Sequence, residues 1–401
     1  MCKDECKVRL FSGITMIMSL SICFVSLSVC PMIQGIVPSY GTIDYSLSRA
    51  MLRVDNGTIR NGYGSVQLVG VQYSGITSAR ALPDVWSYAP DHSLLIKDHG
   101  FNVVRLPFYW NWMEISSNKS EFSYDYSYMT AFVSAARIFT SKRLYIIVDA
   151  HTVESAECTS SLGNFLSINQ SNYRFEGDFF ADASTLSARE HLKRLWLELT
   201  CLKLSDGYCL RDDPYVAGYD ILNEPHHSIL SESGTAEERQ ELHEQWYEIQ
   251  DYIICSMRKM GDKHVFFCEE TPWAQTAFFM NRTLEDNNVV YTLHFYRGLN
   301  LAEQNVANNT IEFLRKEFFG RWGLCSKKLD FPNVPFLITE FGNLYDNVEG
   351  DEKEVWIQNA LQVFKEGELE GWIWFMMGSR SDGYIWSQGT FVQDLQKSLA
   401  S

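Results

Sequence analysis

The sequence predicts an α/β protein built as a single (β/α)8 barrel (a TIM barrel) after an N-terminal leader. Eight short runs rich in β-branched residues alternate with segments whose apolar residues recur at three- and four-residue spacing. The runs are apolar on both faces, which is typical of parallel strands covered by helices. No glycine-rich phosphate loop follows any run, which argues against a dinucleotide-binding sheet. Eight strands over roughly 330 residues fit one barrel better than two doubly wound domains.

Each predicted strand is followed by a predicted helix or a polar loop. The strands are expected at residues 66–73, 102–107, 144–149, 216–222, 264–268, 289–294, 334–339 and 371–375. The helices are expected at residues 91–99, 124–141, 184–204, 236–260, 301–319 and 352–366. The stretch 152–213 is too long for one crossover, so we expect an insertion there.

The first 37 residues form a leader outside the barrel. Lys3, Lys7 and Arg9 precede an uncharged, mostly apolar run from Leu10 to Val37. This pattern is typical of a secretory signal peptide or an uncleaved signal anchor. Residues 38–66, which are mixed and rich in Gly, Ser and Tyr, are expected to be a linker or an edge segment that closes one end of the barrel. The barrel itself is expected to occupy residues 67–401.

Cysteines and glycosylation sequons agree with export. Six cysteines follow the leader, and an even number is compatible with disulfides in an exported chain. Cys201 and Cys209 flank a short loop and are the pair that we predict to be bonded. Five N-x-S/T sequons are surface acceptors in such a chain, at Asn56, Asn118, Asn169, Asn281 and Asn308. We therefore predict a glycoprotein that is secreted or anchored on the outer face of the cell membrane.

Composition excludes some partners. The formal net charge of −16 argues against a nucleic-acid surface, which needs a basic face. Aromatic residues make up 14% of the chain, including 11 tryptophans, and this suggests that some of them contact a ligand. No C-x-x-C motif occurs, so a zinc or redox site is not expected. We expect a monomer without a cofactor.

Polar side chains end several of the predicted strands, at the end of the barrel where active sites lie. The run VAGYDILNEP leads into Asn223 and Glu224, and VPFLITEFGN ends its apolar part on Glu340. Burying a carboxyl group costs several kcal/mol unless a hydrogen-bonding or charged partner stabilises it, so an acid at such a position has a partner or a function. Two acids delivered by separate strands are the minimum equipment for splitting a glycosidic bond. The other strand ends supply Arg105, His151, His294, Tyr296 and Trp374.

These motifs together resemble glycoside hydrolase family 5. N-E-P follows an apolar strand and I-T-E-F-G ends a later one, while FNVVRLPF is similar to the family's second-strand arginine. IIVDAH resembles the third-strand histidine, LHFY the sixth-strand His-x-Tyr, and WIWF the eighth-strand tryptophan. The features occur in the family's order from about Leu68 to Trp386. The resemblance implies a retaining glycosidase whose acids lie on the fourth and seventh strands, and a catalytic domain that spans residues 67–401.

The resemblance also implies roles for the two acids. Glu340 is expected to be the nucleophile, kept ionised by Arg105 and hydrogen-bonded by Tyr296. Glu224 is expected to act as acid and then as base, with its pKa raised by the Glu340 anion. The two carboxyls are expected to lie roughly 5 Å apart, and the anomeric configuration to be retained.

Around the acids, other residues are expected to bind the sugar. Asn223 would hold the substrate 2-hydroxyl, and Trp374 would form an apolar floor under the reacting ring. His151 and His294 would bind sugar hydroxyls and tune the acids. Further subsites are expected at Tyr109, Trp110, Trp112 and Trp273. The segments HTVESAEC and WFMMGSRSDGYIW depart from the family's pattern, which leaves the outer subsites open.

The substrate is expected to be a polysaccharide or oligosaccharide, with endo-β-1,4-glucan hydrolysis favoured and β-mannan hydrolysis as the alternative. Two other classes remain open. One is a metal-dependent hydrolase on the same barrel that uses His151, His294 and the acids, although no H-x-H follows the first strand. The other is a non-catalytic carbohydrate-binding protein of the cell surface.

Overall fold

The structure is a computed structural model, and it describes most of the chain after the leader. The described residues are 49–73, 89–151, 187–227, 234–300, 305–321, 323–342 and 351–377, with 166, 168–169, 174–175, 179–180 and 229. The predicted leader therefore lies outside the described residues. Among the helices that are described, none has both the length and the hydrophobicity needed to cross a bilayer.

Eight parallel strands form a closed barrel, as the sequence predicts. They are β1 Leu68–Tyr73, β2 Val103–Tyr109, β3 Tyr145–His151, β4 Val216–Asp220, β5 Val265–Glu269, β6 Val289–Phe295, β7 Phe336–Phe341 and β8 Gly371–Met377. Each strand pairs with the next in the chain, and β8 pairs with β1 to close the ring. Nearly every strand residue is buried, because side chains fill the barrel on the inside and helices cover it on the outside.

Helices follow the strands along the chain. They are α1 Ala89–Asp98, α2 Tyr126–Ser141, α3 Ala188–Cys201, α4 Ala236–Lys259, α5 Ile311–Arg315, α6 Leu324–Asp330 and α7 Asp351–Glu366. Side-chain caps set several of their first residues. At the start of α4, Thr235 and Glu238 form a capping box, and Asp125 accepts a hydrogen bond from the Tyr128 N–H at the start of α2.

The helix predicted over residues 301–319 is wrong in its first half. Leu299–Asn300 instead pairs antiparallel with Asn305–Val306. The helix begins only at Ile311, because the Thr310 side chain caps it and accepts a hydrogen bond from the Phe313 N–H. The spacing of apolar residues cannot distinguish a short hairpin from a helical turn, whereas the cap fixes the starting point.

A three-stranded antiparallel sheet lies against the amino end of the barrel, and we call it the floor sheet. Its strands are Arg53–Asp55, Thr58–Asn61 and Gly64–Ser65. Leu52 and Ile59 are buried in one apolar cluster with the first residues of the barrel strands, such as Leu68 and Val103. The Ile59 N–H donates to Glu370 Oε2 at 2.8 Å, just before β8. Residues 38–48 of the predicted linker lie outside the described part.

The predicted Cys201–Cys209 disulfide is wrong, because both residues are free thiols. Cys201 ends helix α3, and its sulfur accepts a hydrogen bond from Arg211 at 3.5 Å. The Cys209 thiol instead donates to Asp212 at 3.1 Å. Backbone hydrogen bonds, including Leu204 N–H to Tyr208 O at 2.9 Å, close the loop between the two cysteines without a covalent link.

The floor sheet should contribute measurably to stability. Replacing the fully buried Ile59 by alanine should lower the free energy of unfolding by about 2–5 kcal/mol, because it leaves a cavity in the apolar cluster. Urea denaturation followed by circular dichroism measures this change. Tyr63→Ala serves as the control, since that side chain is 71% exposed and should change stability little. Equal stability of the two variants would contradict a structural role for the sheet.

Candidate active site

Side chains on or directly after four strands converge at the carboxyl end of the barrel. Arg105 lies on β2, Glu224 follows β4, His294 lies on β6, and Glu340 lies on β7. One ligand atom each from Glu224, His294 and Glu340 lies within 4.8 Å of the others. The barrel therefore brings together the two glutamates that the sequence singles out, although they are far apart along the chain.

The centre of the site is the fully buried guanidinium of Arg105. Its Nη1 donates to Glu340, and its Nη2 donates to Asn223 Oδ1 at 2.9 Å. Burial alone would lower the pKa of Arg105, but the surrounding carboxylates raise it well above its ordinary value. Four carboxylates contact this one group, namely Asp149 at 3.1 Å, Asp220 at 2.8 Å, Glu269 at 3.0 Å, and Glu340.

Glu340 is surrounded by hydrogen-bond donors. Arg105 donates to its Oε1, and the Tyr296 hydroxyl donates to its Oε2 at 2.9 Å. His294 Nδ1 lies 3.4 Å from the same Oε2. Burial and the nearby Glu340 charge raise the pKa of Tyr296 well above its usual value, so its phenol stays protonated as a donor. Charge-assisted hydrogen bonds of this kind stabilise a carboxylate anion.

Glu224 lies in a different environment from Glu340. Its backbone has φ +49°, a left-handed conformation, and its side chain is 31% exposed. Burial raises the pKa of Glu224, and although the hydrogen bond from His294 opposes this, the charges of Glu340 and Glu269 add to it. One glutamate thus favours its protonated form while the other is held by a cation. Acid and base assignments rest on differences of this kind.

His294 lies between two acids and is fully buried. Its Nδ1 is 2.8 Å from Glu224 Oε1, and its Nε2 is 3.0 Å from Glu269 Oε1. Burial would lower the pKa of His294, but Glu269 and Glu340 raise it well above the ordinary value. Both ring nitrogens of His294 lie beside carboxylates, which agrees with the expected tuning of the acids, and its binding of sugar hydroxyls stays a prediction.

The remaining polar residues of the predicted site lie nearby. His151 ends β3, and its Nδ1 is 2.8 Å from Asp149 Oδ2. Burial would lower the pKa of His151, but Asp149 raises it, and 16% of the side chain stays exposed to a ligand. Asn223 Oδ1 accepts from Arg105, so the amide nitrogen is the end that is oriented away from the guanidinium.

The predicted aromatic residues differ in their exposure. Trp374 on β8 is 5% exposed and packs edge-to-face on Phe341, with ring centroids 5.1 Å apart. Tyr109 is partly exposed and lies edge-on to His151 at 5.9 Å. Trp273 is also partly exposed, and its ring lies 3.6 Å from that of His226. Their sugar-binding roles stay predictions.

Trp110 and Trp112 are buried and offer little surface to a sugar, and their subsite role stays a prediction. Trp110 is fully buried and donates its indole N–H to Glu114 at 2.7 Å. Trp112 packs against the rings of Tyr109 and Tyr128. A short helix, Trp110–Met113, begins directly after β2 and turns both rings into the protein. The sequence places them beside the site but does not indicate this turn.

Sequence reasoning missed three charged residues of the site, of which the one with the most contacts is Glu269. It ends β5 and contacts both Arg105 and His294. The signal was available, because VFFCEE is an apolar strand that ends on acids, as VPFLITE is. Asp149 and Asp220, which also contact Arg105, lie in predicted strands but were not assigned to the site.

A closed parallel barrel with two glutamates and a buried arginine at its carboxyl end agrees with the architecture of a glycoside hydrolase. Comparison with protein families agrees with this class. Residues 70–381 match the family model described as cellulase, glycosyl hydrolase family 5. The chain therefore belongs to glycoside hydrolase family 5.

A β-xylosidase from Phanerodontia chrysosporium is 22% identical over 296 residues, which cover 69% of this chain and 54% of that protein. The chain thus spans about half of the length of that relative. Among solved structures, the endocellulase of Pyrococcus horikoshii superposes with a TM-score of 0.61 at 17% identity, covering 87% of this chain and 98% of that one.

Two further structures share the fold at low identity. XacCel5A, solved in complex with cellopentaose, has a TM-score of 0.55 at 15% identity and covers 83% of this chain and 99% of its own. Cellulose synthase subunit Z of Clostridioides difficile has a TM-score of 0.57 at 17% identity, with coverage of 84% and 100%. These structures share the barrel fold with this chain.

Gly342, directly after β7, should be sensitive to substitution. Its φ is +139°, and an added Cβ would lie 3.0 Å from the Trp374 ring. Gly342→Ala should therefore displace Trp374 and lower kcat/KM by about tenfold or more, since about 1.4 kcal/mol in the barrier corresponds to a factor of ten. Steady-state kinetics measures the change. Gly320→Ala is the control, because a Cβ there meets nothing within 4 Å. Unchanged kinetics in Gly342→Ala would show that Trp374 needs no such space.

Proposed function

We propose that this glycoside hydrolase is a retaining endo-β-1,4-glucanase that works through a covalent glycosyl-enzyme. The observation that carries the proposal is the spacing of the two acids. One carboxylate oxygen of Glu224 and one of Glu340 lie within 4.8 Å. Retaining enzymes have carboxyl groups about 5–5.5 Å apart, whereas inverting enzymes need about 6.5–9.5 Å to admit a water between acid and base.

In the first step, Glu340 attacks the anomeric carbon and Glu224 gives its proton to the departing glycosidic oxygen. The bond from the anomeric carbon to that oxygen breaks as the ester bond to Glu340 forms. Arg105 and Tyr296 hold the nucleophile on two different oxygens, which fixes its orientation. The Asn223 amide nitrogen is oriented to donate to the 2-hydroxyl, a contact that strengthens in the transition state.

In the second step, water attacks the anomeric carbon and Glu224 takes the proton of that water. Esterification removes the negative charge of Glu340, which is one cause of the raised pKa of Glu224. That pKa therefore falls when a base is needed. The His294 Nδ1, 2.8 Å from Glu224 Oε1, stabilises the carboxylate that forms.

A β-1,4-glucan is the substrate that the comparisons favour. The family model is described as cellulase, and one structural neighbour was solved with cellopentaose. A β-mannan is the alternative on the same site. The relative described as a β-xylosidase supports including β-xylosides in any substrate panel.

A metal-dependent hydrolase is less well supported. Glu224, His294 and Glu340 each offer an atom within a common 4.8 Å. However, His294 Nδ1 is within hydrogen-bond distance of Glu224, and its raised pKa favours the protonated ring, which cannot ligate a metal. Activity that persists after exhaustive chelation would remove this alternative, and oligosaccharide binding without any turnover would instead favour a non-catalytic binding protein.

We also propose that the chain is exported and acts as a monomer outside the cell, secreted or membrane-anchored. The leader and the sequons support export, and Asn56, Asn118 and Asn281 are exposed at their sequons. Treatment of the cell-derived protein with a deglycosylating enzyme tests this through a shift in mass. N-terminal sequencing of the same material tests whether the leader is removed.

Substitution of the two acids should separate their roles. Glu340→Gln should abolish turnover of every substrate, because no nucleophile remains. Glu224→Gln should slow polysaccharide hydrolysis by about 10²–10⁴-fold, yet still release a burst of phenol from a 2,4-dinitrophenyl glycoside, whose leaving group needs no proton. Stopped-flow absorbance measures the burst. Glu366→Gln, which removes an ion pair with Arg315 on the surface, is the control.

The pH profile should report the proton of Glu224. Because burial raises the pKa of Glu224 above its ordinary value, the acid stays protonated to higher pH, and kcat/KM should fall only above that ordinary range. In Glu224→Gln this alkaline fall should be lost when the dinitrophenyl glycoside is the substrate. An identical alkaline limb in both proteins would assign that limb to another group.

The nucleophile and the substrate can be identified directly. A 2-fluoro glycoside should inactivate the enzyme, and peptide mass mapping should find the sugar on Glu340. Hydrolysis of soluble cellulose derivative, mannan, mixed-linkage glucan and xylan should be compared side by side, with product sizes to distinguish endo from exo action. Inverted product in an NMR assay would refute the retaining mechanism, and inactivity on the glucans would refute the favoured substrate.

A further inference from the structure

Glu269 contacts three groups of the site from behind the substrate-facing surface. Its Oε1 is 3.0 Å from Arg105 Nη2 and 3.0 Å from His294 Nε2. Its Oε2 accepts a hydrogen bond from the main-chain N–H of Glu224. Glu269 is 1% exposed, so it contacts these side chains of the site but has almost no surface that a substrate could reach.

We propose that Glu269 is a positioning residue that sets the protonation of His294 and the orientation of Glu224. The inference rests on the proposed role of Glu224 as acid and base. Glu269 acts on Glu224 by two routes, one through the imidazole to the side chain and one directly to the backbone.

The first route is a carboxylate–imidazole–carboxyl chain. Glu269 lies at Nε2 of His294, and Glu224 lies at Nδ1, 2.8 Å away. An anion at Nε2 keeps a proton on that nitrogen and favours the doubly protonated ring. Only in that form does Nδ1 also carry a proton and donate to the Glu224 carboxylate. Glu269 therefore supports the base form of Glu224 that the second chemical step needs.

The second route fixes the backbone of Glu224. A non-glycine residue at φ +49° is unfavourable by about 1–3 kcal/mol and persists only where its surroundings hold it. The hydrogen bond from the Glu224 N–H to Glu269 Oε2 is one such restraint. It aims the side chain of Glu224 toward Glu340 instead of letting the loop after β4 relax.

The charges around Glu269 determine the sign of the expected pH effect. The groups that face it or its partners are Arg105 on β2, Asp149 on β3, Asp220 and Glu224 at β4, His294 on β6, and Glu340 on β7. Removing the negative charge of Glu269 lowers the pKa of His294, and a neutral ring no longer stabilises the Glu224 carboxylate. The pKa of His294 therefore falls while that of Glu224 rises, and the alkaline limb of activity moves to higher pH.

The next residue, Glu270, offers a matched control. It is also fully buried, but it contacts helix α4, with the Tyr247 hydroxyl at 2.7 Å and His243 Nε2 at 3.4 Å. Burial raises the pKa of Glu270 to about 8, so it is mostly protonated at neutral pH. Glutamine is close in shape and charge to that neutral acid, and Glu270→Gln should leave the pH profile unchanged.

The test compares Glu269→Gln and Glu270→Gln with the wild type in two measurements. The first is the pH dependence of kcat/KM, in which only Glu269→Gln should move the alkaline limb, upward by about one pH unit or more. The second is an NMR titration of isotopically labelled histidine, with His294 assigned through His294→Gln. Wild-type His294 should stay protonated well above its ordinary pKa of about 6.5, and should titrate lower in Glu269→Gln.

The two measurements separate the possible failures. An unchanged alkaline limb and an unchanged His294 titration in folded Glu269→Gln would overturn the inference while leaving the proposed function intact. If wild-type protein hydrolyses no glycan, the proposed function fails, and the His294 titration still decides whether Glu269 sets its charge. If Glu269→Gln does not fold, the wild-type titration decides, because an ordinary His294 pKa would refute the proposal.

Discussion

The site depends on burying one guanidinium among acids from several strands. Burying an unpaired arginine in the barrel core would cost several kcal/mol of folding free energy. Burying any one of the carboxylates that contact Arg105 without the arginine would cost a similar amount. Arg105 and the acids therefore require one another, and their contacts hold β2, β3, β4, β5 and β7 at a fixed spacing. Burial and the nearby Glu269 raise the pKa of Asp220 well above its usual range.

This requirement explains why so much of the site could be read from the sequence. A charged residue in a buried strand is costly, so each one marks a partner or a function, as at Arg105, His294 and Glu340. The same rule applies to Glu269. It was missed because the sequence predicts that the fifth strand ends at residue 268, whereas the strand includes Glu269. The eight strands were predictable because their apolar runs are continuous and short.

Features that depend on local turns were not predictable in this way. The inward turn after β2 buries Trp110. A helix of one turn is too short to produce a periodic pattern of apolar residues in the sequence. The free state of Cys201 and Cys209 depends on partners, Arg211 and Asp212, that fold back only in three dimensions. Contacts that depend on tertiary structure cannot be predicted from the spacing of residues along the chain.

The floor sheet has a consequence for the fate of the covalent intermediate. Leu52 and Ile59 close the amino end of the barrel with apolar side chains, which leaves the carboxyl end as the route for water. If the proposed glycosyl-enzyme forms, water and a second sugar would reach the position beside Glu224 from the same side. Abundant saccharides would then compete with water for the glycosyl unit.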